Sequence, residues 1–260
     1  MLLHKDLTRE MIGAGMRVHR ELGPGWDEWD YHRAMVRSLE EKGLTVASKA
    51  RRHVTHRGRV VDTFEADLIV GGCVIAEFKH QRHGFAPQNF AQVINYLKAW
   101  QLDLGLLMNY GLQSFFYRRV PYTERSSILA RASSRKKLNA HQRDMVESVT
   151  DICDAVRSMH GLGYGAKTCQ ALVKAEAEHR GLKVTEPIIE LTFDGLSLGE
   201  RWVNVLNIEG KGLAYVIALY DTVPAAEAAS LRSYLKHFGQ DVGVLANFGK
   251  EALTIHPVTI

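Results

Sequence analysis

The stretch RVVDTFEADLIVGGCVIAEFK, residues 59–79, contains two apolar runs separated by the pair Gly71-Gly72. Runs rich in Val, Ile, Phe and Thr that are bounded by glycines predict β-strands joined by a tight turn. Residues 44–55, which precede these two runs, are also rich in Val and Thr. The turn-like residues 56–59 separate them from the run that follows. These runs together predict a three-stranded meander.

Helical patterns lie on both sides of this meander. In chain order we predict a helix ending at the Gly23-Pro24-Gly25 break, a helix over 27–42, the meander, a helix over 87–100, and strands over 104–108 and 114–120. The order ααβββαββ is typical of an α/β unit in which helices flank a mixed central sheet.

The second half of the chain repeats the first at a shift of 138 residues. The matched residues include Gly23 with Gly161, Gly43 with Gly181, Tyr96 with Tyr234, Asp103 with Asp241, Gly105 with Gly243 and Asn109 with Asn247. One ungapped register kept over this length predicts a tandem duplication. We therefore predict one unit over residues 1–120, a basic polar linker over 121–142, and a second copy over 143–260.

The positive charge lies in the first half of the chain. Residues 1–138 carry 22 Lys and Arg against 14 Asp and Glu, whereas the rest carries 11 against 15. A cationic surface suits a polyanion such as nucleic acid. Arg51, Arg52, Arg57 and Arg59 surround the first predicted hairpin and are predicted to bind nucleic-acid phosphates, with a solvated hairpin as the alternative.

Composition limits the class of protein further. The chain is 46% hydrophobic and has three cysteines without CxxC spacing. No apolar run approaches the roughly 20 residues that a membrane helix needs. These features predict a cytoplasmic protein in a reducing compartment, without a membrane partner.

Acidic and basic side chains come together at the end of the meander. Strand alternation places Glu77 and Lys79 on one face. A three-residue turn over 71–73 would put Asp67 opposite Glu77, whereas a two-residue turn would put it opposite Ala76. The first register predicts a Mg²⁺ site for phosphodiester hydrolysis, and an ordinary cross-strand ion pair is the alternative.

Several motifs resemble those of one known superfamily. Asp67 followed by Glu77-x-Lys79 resembles the metal-binding core of the PD-(D/E)XK nucleases. Residues 25–31, GWDEWDY, resemble the signature of the GxxExxY family within that superfamily, and residues 92–96, QVINY, resemble its QxxxY helix. The motifs occur in the expected order, so the chain looks like a tandem restriction-endonuclease-like protein.

This resemblance implies the chemistry of the site. Mg²⁺ or Mn²⁺ would be held by Asp67, Glu77 and Glu28, and Lys79 would be catalytic. The implied activity is that of a metal-dependent nuclease (a hydrolase) acting on phosphodiester bonds, with DNA favoured over RNA. A non-catalytic nucleic-acid-binding or scaffold protein on the same fold is the alternative.

The motif helices would supply accessory residues. Glu28 and Tyr31 are three residues apart, and Gln92 and Tyr96 four apart, so each pair shares a helix face and is expected to line the cleft. For Tyr31 and Tyr96, ordinary core packing is an equal alternative.

The second copy lacks the catalytic set. In the ungapped alignment, Asp67, Glu77 and Lys79 are replaced by Val205, Tyr215 and Ile217, and a short gap would instead bring Leu219 and Asp221 to the last two positions. Either alignment leaves no metal site. We therefore predict an inactive second unit that pairs with the first as an internal pseudo-dimer.

Overall fold

The computed structural model describes residues 3–124, 127–131 and 137–260. Residues 125–126 and 132–136 of the predicted linker lie outside the described residues. The chain divides into two compact units. Unit 1 comprises residues 1–54 and 62–123, and unit 2 comprises residues 55–61 and 124–260.

Unit 1 confirms the predicted order ααβββαββ. Its elements are α1 (Lys5–Leu22), α2 (Glu28–Glu40), β1 (Val46–His56), β2 (Arg59–Val70), β3 (Val74–Lys79), α3 (Pro87–Trp100), β4 (Leu104–Asn109) and β5 (Phe116–Pro121). The tip of the β1–β2 hairpin, residues 55–61, belongs to unit 2.

The sheet of unit 1 is mixed, as predicted. Its strand order is β1-β2-β3-β4-β5, with β3 parallel to β4 and antiparallel to β2. A parallel pair requires a crossover connection, and α3 provides it. The crossover brings the end of β3 and the beginning of α3 to one region of unit 1.

The two faces of this sheet pack against different helices. Leu68, Ala76 and Phe78 belong to the hydrophobic cluster that also contains Met35 from α2. On the opposite face, a Cβ added to Gly105 of β4 would lie 2.4 Å from Val93 Cγ1 of α3. Strand alternation therefore turns the odd-numbered positions of β3 toward the α3 side.

Unit 2 repeats this arrangement with additional strands. Its elements are β6 (Ile128–Arg131), α4 (Ala140–His160), α5 (Ala166–His179), β7 (Val184–Thr185), β8 (Ile188–Phe193), β9 (Leu196–Trp202), β10 (Leu206–Ile208), β11 (Gly212–Ala218), α6 (Ala225–His237), β12 (Val242–Phe248) and β13 (Ala252–Thr259). One sheet has the order β6-β13-β12-β11-β10-β7, and β8 and β9 form a separate hairpin.

The meander of unit 2 differs from the expected three strands. The segments that correspond to β1 and β2 are each interrupted, giving β7 with β8 and β9 with β10. Pro187 lies between β7 and β8, where it cannot donate a backbone hydrogen bond to a ladder. The long hairpin of the repeat is thus divided into a short sheet edge and a separate hairpin.

Part of the predicted linker is also structured. Residues 128–131 form β6, which pairs in parallel with β13 from Ile128–Ala252 to Arg131–Ile255. The helix α4 begins at Ala140, before the predicted end of the linker. Without β6, β13 would present an open sheet edge, and pairing satisfies its backbone groups.

Among the described residues, no helix is both long and apolar enough to span a bilayer.

We predict that Gly105→Ala destabilises unit 1. The added methyl group would overlap Val93, a β-branched side chain that cannot rotate away freely, and overpacking of this kind costs about 1–3 kcal/mol. The measurement is thermal unfolding followed by circular dichroism. Gly13→Ala is the control, because nothing lies within 4 Å of its added Cβ. An equal or higher midpoint for Gly105→Ala would contradict the packing of α3 on β4.

Candidate active site

The turn between β2 and β3 sets the register of the site. Val70 pairs with Val74 and Leu68 pairs with Ala76, so the turn contains three residues, 71–73. Gly71 and Gly72 both have positive φ, at 60° and 68°, a conformation that favours glycine. Of the two registers left open by the sequence, the structure has the one with the three-residue turn; the paired residues end at Leu68 and Ala76, and Asp67 and Glu77 are the next positions on the two strands.

Both carboxylates of this pair are buried. Asp67 is 4% exposed and Glu77 is 3% exposed. Asp67 Oδ2 accepts a hydrogen bond of 2.8 Å from the backbone N–H of Phe78. Two facing acids at this depth require compensation of their charge.

Two lysines provide that compensation. Lys79 Nζ lies 2.7 Å from Glu77 Oε1, and Lys49 Nζ lies 2.5 Å from Asp67 Oδ1. Lys49 has φ of 48° inside β1, a left-handed conformation that is rare for lysine and breaks the regular alternation of a strand. The sequence analysis placed Lys49 only within a basic segment, and no sequence signal identified it as the partner of Asp67.

One carboxylate oxygen of the buried pair makes no hydrogen bond to the described residues. Glu77 Oε2 is buried and has no hydrogen-bond partner among the described residues. Burial, followed by the charge of Asp67, raises the pKa of Glu77 to about 8, although Lys79 opposes the rise. The carboxyl of Glu77 therefore keeps its proton to a higher pH than an ordinary glutamate does.

Glu28 reaches the same electrostatic environment from the start of α2. Desolvation raises the pKa of its carboxyl, and the charge of Asp67 adds to the rise. Lys79, Lys49 and His80 act in the opposite direction. The structure thus brings all four predicted catalytic residues within electrostatic reach of one another.

Gln92 and Tyr96 lie on the same side as Glu77. The Gln92 amide donates a hydrogen bond of 2.7 Å to the Tyr96 hydroxyl. Burial and then the charge of Glu77 raise the pKa of Tyr96 to about 12. Tyr96 remains a neutral hydrogen-bonding group beside the carboxylates.

Tyr31 is located in the core instead of the cleft. It is fully buried and stacks on Tyr110 with ring centroids 4.6 Å apart. Its hydroxyl donates to the carbonyl of Gly23 at 2.8 Å and accepts from the backbone N–H of Trp26 at 3.2 Å. Tyr31 therefore fixes the loop that leads into α2, and so positions Glu28 through the backbone.

His32 is a further neighbour of the site that the sequence analysis did not select. Its Nε2 lies 2.7 Å from Ser48 Oγ. Burial lowers the pKa of His32, with the charge of Lys49 acting in the same direction and that of Asp67 against it. A neutral imidazole is therefore favoured beside Lys49.

The predicted phosphate-binding arginines differ in their surroundings. Arg51 pairs with Glu65 at 2.7 Å. In unit 2, Arg57 pairs with Glu176 at 3.1 Å and Arg59 with Glu178 at 2.8 Å, and buried His56 also contacts Glu176 at 2.8 Å. Arg52 is exposed and has no ion-pair partner among the described residues. Much of the hairpin's charge is thus neutralised within the protein.

The register of unit 2 follows the ungapped repeat. Leu206 pairs with Ala214 as Leu68 pairs with Ala76, and Leu213 pairs with Gly243 as Ile75 pairs with Gly105. The positions of the site are therefore Val205, Tyr215 and Ile217.

Apolar packing replaces the acidic site in unit 2. Val205 and Ile217 belong to its hydrophobic core, and Tyr215 packs against that core. The Tyr215 hydroxyl donates to Glu227 at 2.7 Å. The three positions now stabilise the unit and present no pair of facing carboxylates.

The side-chain oxygens of unit 1 include donors that suit a divalent cation. Nowhere in the described ranges are three His, Cys, Asp or Glu side chains grouped closely enough to hold a metal ion. Asp67 and Glu77 nevertheless provide hard carboxylate oxygens, and Glu77 Oε2, which has no partner in the described parts of the chain, is a buried acceptor that a cation would satisfy. The donor chemistry fits Mg²⁺ or Mn²⁺.

Comparison with known proteins identifies the family. The sequence model of the PD-(D/E)XK nuclease superfamily matches residues 5–120 and 143–257, which together are more than half of the chain. The protein therefore belongs to this superfamily, and both of its units match the family. No curated protein matches the chain.

One solved structure also matches. It is described as "Crystal structure of SSO0001", with 13% sequence identity and a TM-score of 0.29. The match covers 45% of this chain and 57% of that one. The protein thus spans little more than half of that chain.

We predict that Glu77 makes the metal-free protein less stable as pH rises. The folded carboxyl keeps its proton up to about pH 8, whereas an ordinary glutamate releases it near 4.5. The unfolded chain therefore ionises first, and this contribution to stability is lost between these pH values.

Glu77→Gln tests this expectation, because glutamine resembles the protonated acid. Its thermal midpoint in chelator should match that of the wild type near pH 5 and exceed it increasingly toward pH 8. Near pH 8, the difference in thermal midpoint should correspond to a difference in the free energy of unfolding on the order of a few kcal/mol. A gap that is constant across this range would contradict the raised pKa.

Proposed function

We propose that this protein is a metal-dependent nuclease that hydrolyses phosphodiester bonds of nucleic acid, with DNA favoured over RNA. The observation that carries the proposal is the buried pair Asp67 and Glu77, with Lys79 beside it and one oxygen of Glu77 that has no partner among the described residues. A protein rarely buries two facing acids without a functional reason, because their desolvation is costly.

Asp67, Glu77 and Glu28 are the residues that we propose to hold Mg²⁺ or Mn²⁺. When bound, such an ion supplies a positive charge that stabilises the negative charge developing on the phosphate. Lys79 is proposed as the catalytic ammonium that orients water and offsets the same charge. Its position is fixed by the 2.7 Å contact with Glu77.

The accessory residues take different roles in this proposal. The Gln92–Tyr96 pair would offer a neutral hydrogen-bonding group to the substrate, supported by its place beside Glu77. Tyr31 would act through the loop that precedes Glu28. The spacing of Gly25, Glu28 and Tyr31 supports assignment to the GxxExxY family within the superfamily.

Nucleic acid would be bound through its backbone. The four hairpin residues Arg51, Arg52, Arg57 and Arg59 remain our candidates, and Arg52 is favoured because it lacks an internal carboxylate partner among the described residues. Phosphate contacts carry little sequence information. We therefore expect weak sequence specificity from this hairpin.

The second unit is proposed to be inactive. We propose domains over residues 1–120 and 143–260, joined by 121–142, with the second domain kept as the internal pseudo-dimer partner of the first. Val205, Tyr215 and Ile217 at the site positions support the loss of catalysis. A cytoplasmic location stays a prediction.

A scaffold or non-catalytic nucleic-acid-binding protein is the second candidate. The observation that favours it is the close pairing of Lys49 with Asp67, which places an ammonium where a cation would otherwise approach. In that case the lysines would neutralise the acids permanently. Binding of Mn²⁺, followed by its electron paramagnetic resonance signal, separates the two candidates, because only the nuclease should bind the ion through Asp67.

We predict that Asp67→Asn and Lys79→Ala each lower metal-dependent cleavage by at least about 100-fold. Substrates are single-stranded DNA, double-stranded DNA and RNA, with Mg²⁺ or Mn²⁺ present. Asp221→Asn is the control for an Asp-to-Asn change, because Asp221 is an exposed carboxylate of unit 2 that the gapped alignment placed at the position of Lys79. Full activity of Asp67→Asn would contradict the proposed site.

We predict that Arg52→Glu weakens nucleic-acid binding and flattens its salt dependence. Each lost phosphate contact should reduce the slope of log K against log salt by about 1. Arg201→Glu is the control, since Arg201 is an exposed arginine on β9, outside this hairpin. If both variants keep the wild-type slope, the charge of Arg52 is merely solvated.

A further inference from the structure

Two tryptophans stand exposed on either side of Glu28. Trp26 is 55% exposed and Trp29 is 54% exposed. Single exposed apolar residues are common on protein surfaces, but two large indoles within four residues, flanking a proposed metal ligand, form a local feature. Neither ring is needed to fill the core.

Both indoles are held in place by the protein. Trp26 Nε1 donates a hydrogen bond of 2.8 Å to the carbonyl of Leu22, and its backbone N–H donates to the Tyr31 hydroxyl. Trp29 stacks on His32 with centroids 5.0 Å apart and planes at 16°. Rings that are already oriented lose less conformational entropy when a ligand stacks on them.

The contact with His32 connects Trp29 to the site. His32 is bonded to Ser48, the residue before Lys49, and the ammonium of Lys49 pairs with Asp67 of the site. One face of Trp29 is therefore directed toward residues that adjoin the site. More than half of the side chain remains accessible to a ligand.

A cation lies on the same helix. Arg33 follows Trp29 by four residues on α2, so the two share a helix face. Arg33 is exposed and has no hydrogen-bond or ion-pair partner in the parts of the chain that the structure describes. Aromatic rings next to an unpaired cation are the combination by which proteins bind single-stranded nucleic acid.

We propose that Trp26 and Trp29 form a stacking platform for unpaired bases of the strand that is cleaved at the Asp67, Glu77 and Lys79 site. The substrate is accordingly single-stranded nucleic acid, or a segment in which the bases are unpaired. Bases in a duplex stack on one another, and their faces are not available to the indoles. This inference rests on the proposed function, since it assigns the substrate of that site.

The test is a fluorescence titration in chelator, where binding is measured without hydrolysis. The probes are oligo(dT) and oligo(rU) of about 15 nucleotides and a duplex of the same length, within the usual site sizes for single strands. Both single strands should quench tryptophan emission, and the duplex should not. A preference for one single strand identifies the sugar that the site accepts, because stacking alone serves both.

Substitution assigns the quenching to the platform. Trp26→Ala and Trp29→Ala should each weaken single-strand binding by about 5- to 100-fold, whereas Trp26→Phe and Trp29→Phe, which keep a ring, should retain most of it. Trp202→Ala is the control, since Trp202 is 75% exposed but lies on β9 of unit 2. Circular dichroism checks that each variant is folded.

Three outcomes would overturn the platform. The first is wild-type binding by both alanine variants, and the second is duplex binding as tight as single-strand binding. The third is that the alanine variants change the oligomeric state in size-exclusion chromatography without changing oligonucleotide affinity, which would identify a protein-docking face.

Asp67→Asn separates this inference from the proposed function. It should bind oligo(dT) with normal quenching and yet fail to cleave, which supports both. If it binds normally and still cleaves, the proposed catalytic site is wrong and the platform stands. If Asp67→Asn is inactive while Trp26→Ala and Trp29→Ala bind oligo(dT) as the wild type does, the platform is wrong and the proposed function stands.

Discussion

The burial of Asp67 opposite Glu77 is the constraint on which the rest of unit 1 depends. Two acids at 4% and 3% exposure would repel each other strongly in a medium of low dielectric constant. The charges are compensated by the backbone N–H of Phe78 and the ammonium groups of Lys49 and Lys79, and burial raises the pKa of Glu77. These contacts fix the ends of β2 and β3, yet Glu77 Oε2 has no hydrogen-bond partner among the described residues.

Unit 2 shows that this backbone does not need the acids. The pairing of β10 with β11 and of β11 with β12 keeps the register of unit 1, while Val205 and Ile217 join a hydrophobic core. Exchange of buried charges for apolar side chains is often neutral or stabilising. The fold is therefore retained without the acids of unit 1, which supports the chemical role that we propose for them.

The start of α2 combines a buried tyrosine that positions the backbone with Glu28, which we propose to be a metal ligand. Tyr31 is buried and bonded to the loop from Gly23 to Trp26, so it determines where the helix begins. Glu28 then points toward the charges of Asp67 and Lys79, and Trp29 rests on His32. A tyrosine in a motif need not touch the substrate, because positioning the backbone is enough.

The sequence by itself determined the order of elements in unit 1, the duplication, and the acidic residues Asp67 and Glu77. Apolar periodicity and glycines are local properties, and a shift of 138 residues is visible without coordinates.

Tertiary structure decided the features that depend on partners elsewhere in the chain. It decided the three-residue turn that faces Asp67 with Glu77, the left-handed Lys49 that pairs with Asp67, and the strand β6 inside the expected linker. It also decided that Arg57 and Arg59 pair with Glu176 and Glu178, whereas Arg52 does not pair with a carboxylate of the described chain. The physical reason is that these partners are not neighbours in sequence: Lys49 and Asp67 are 18 residues apart and Arg57 and Glu176 are 119 apart, so no local pattern pairs them and only folding brings them together.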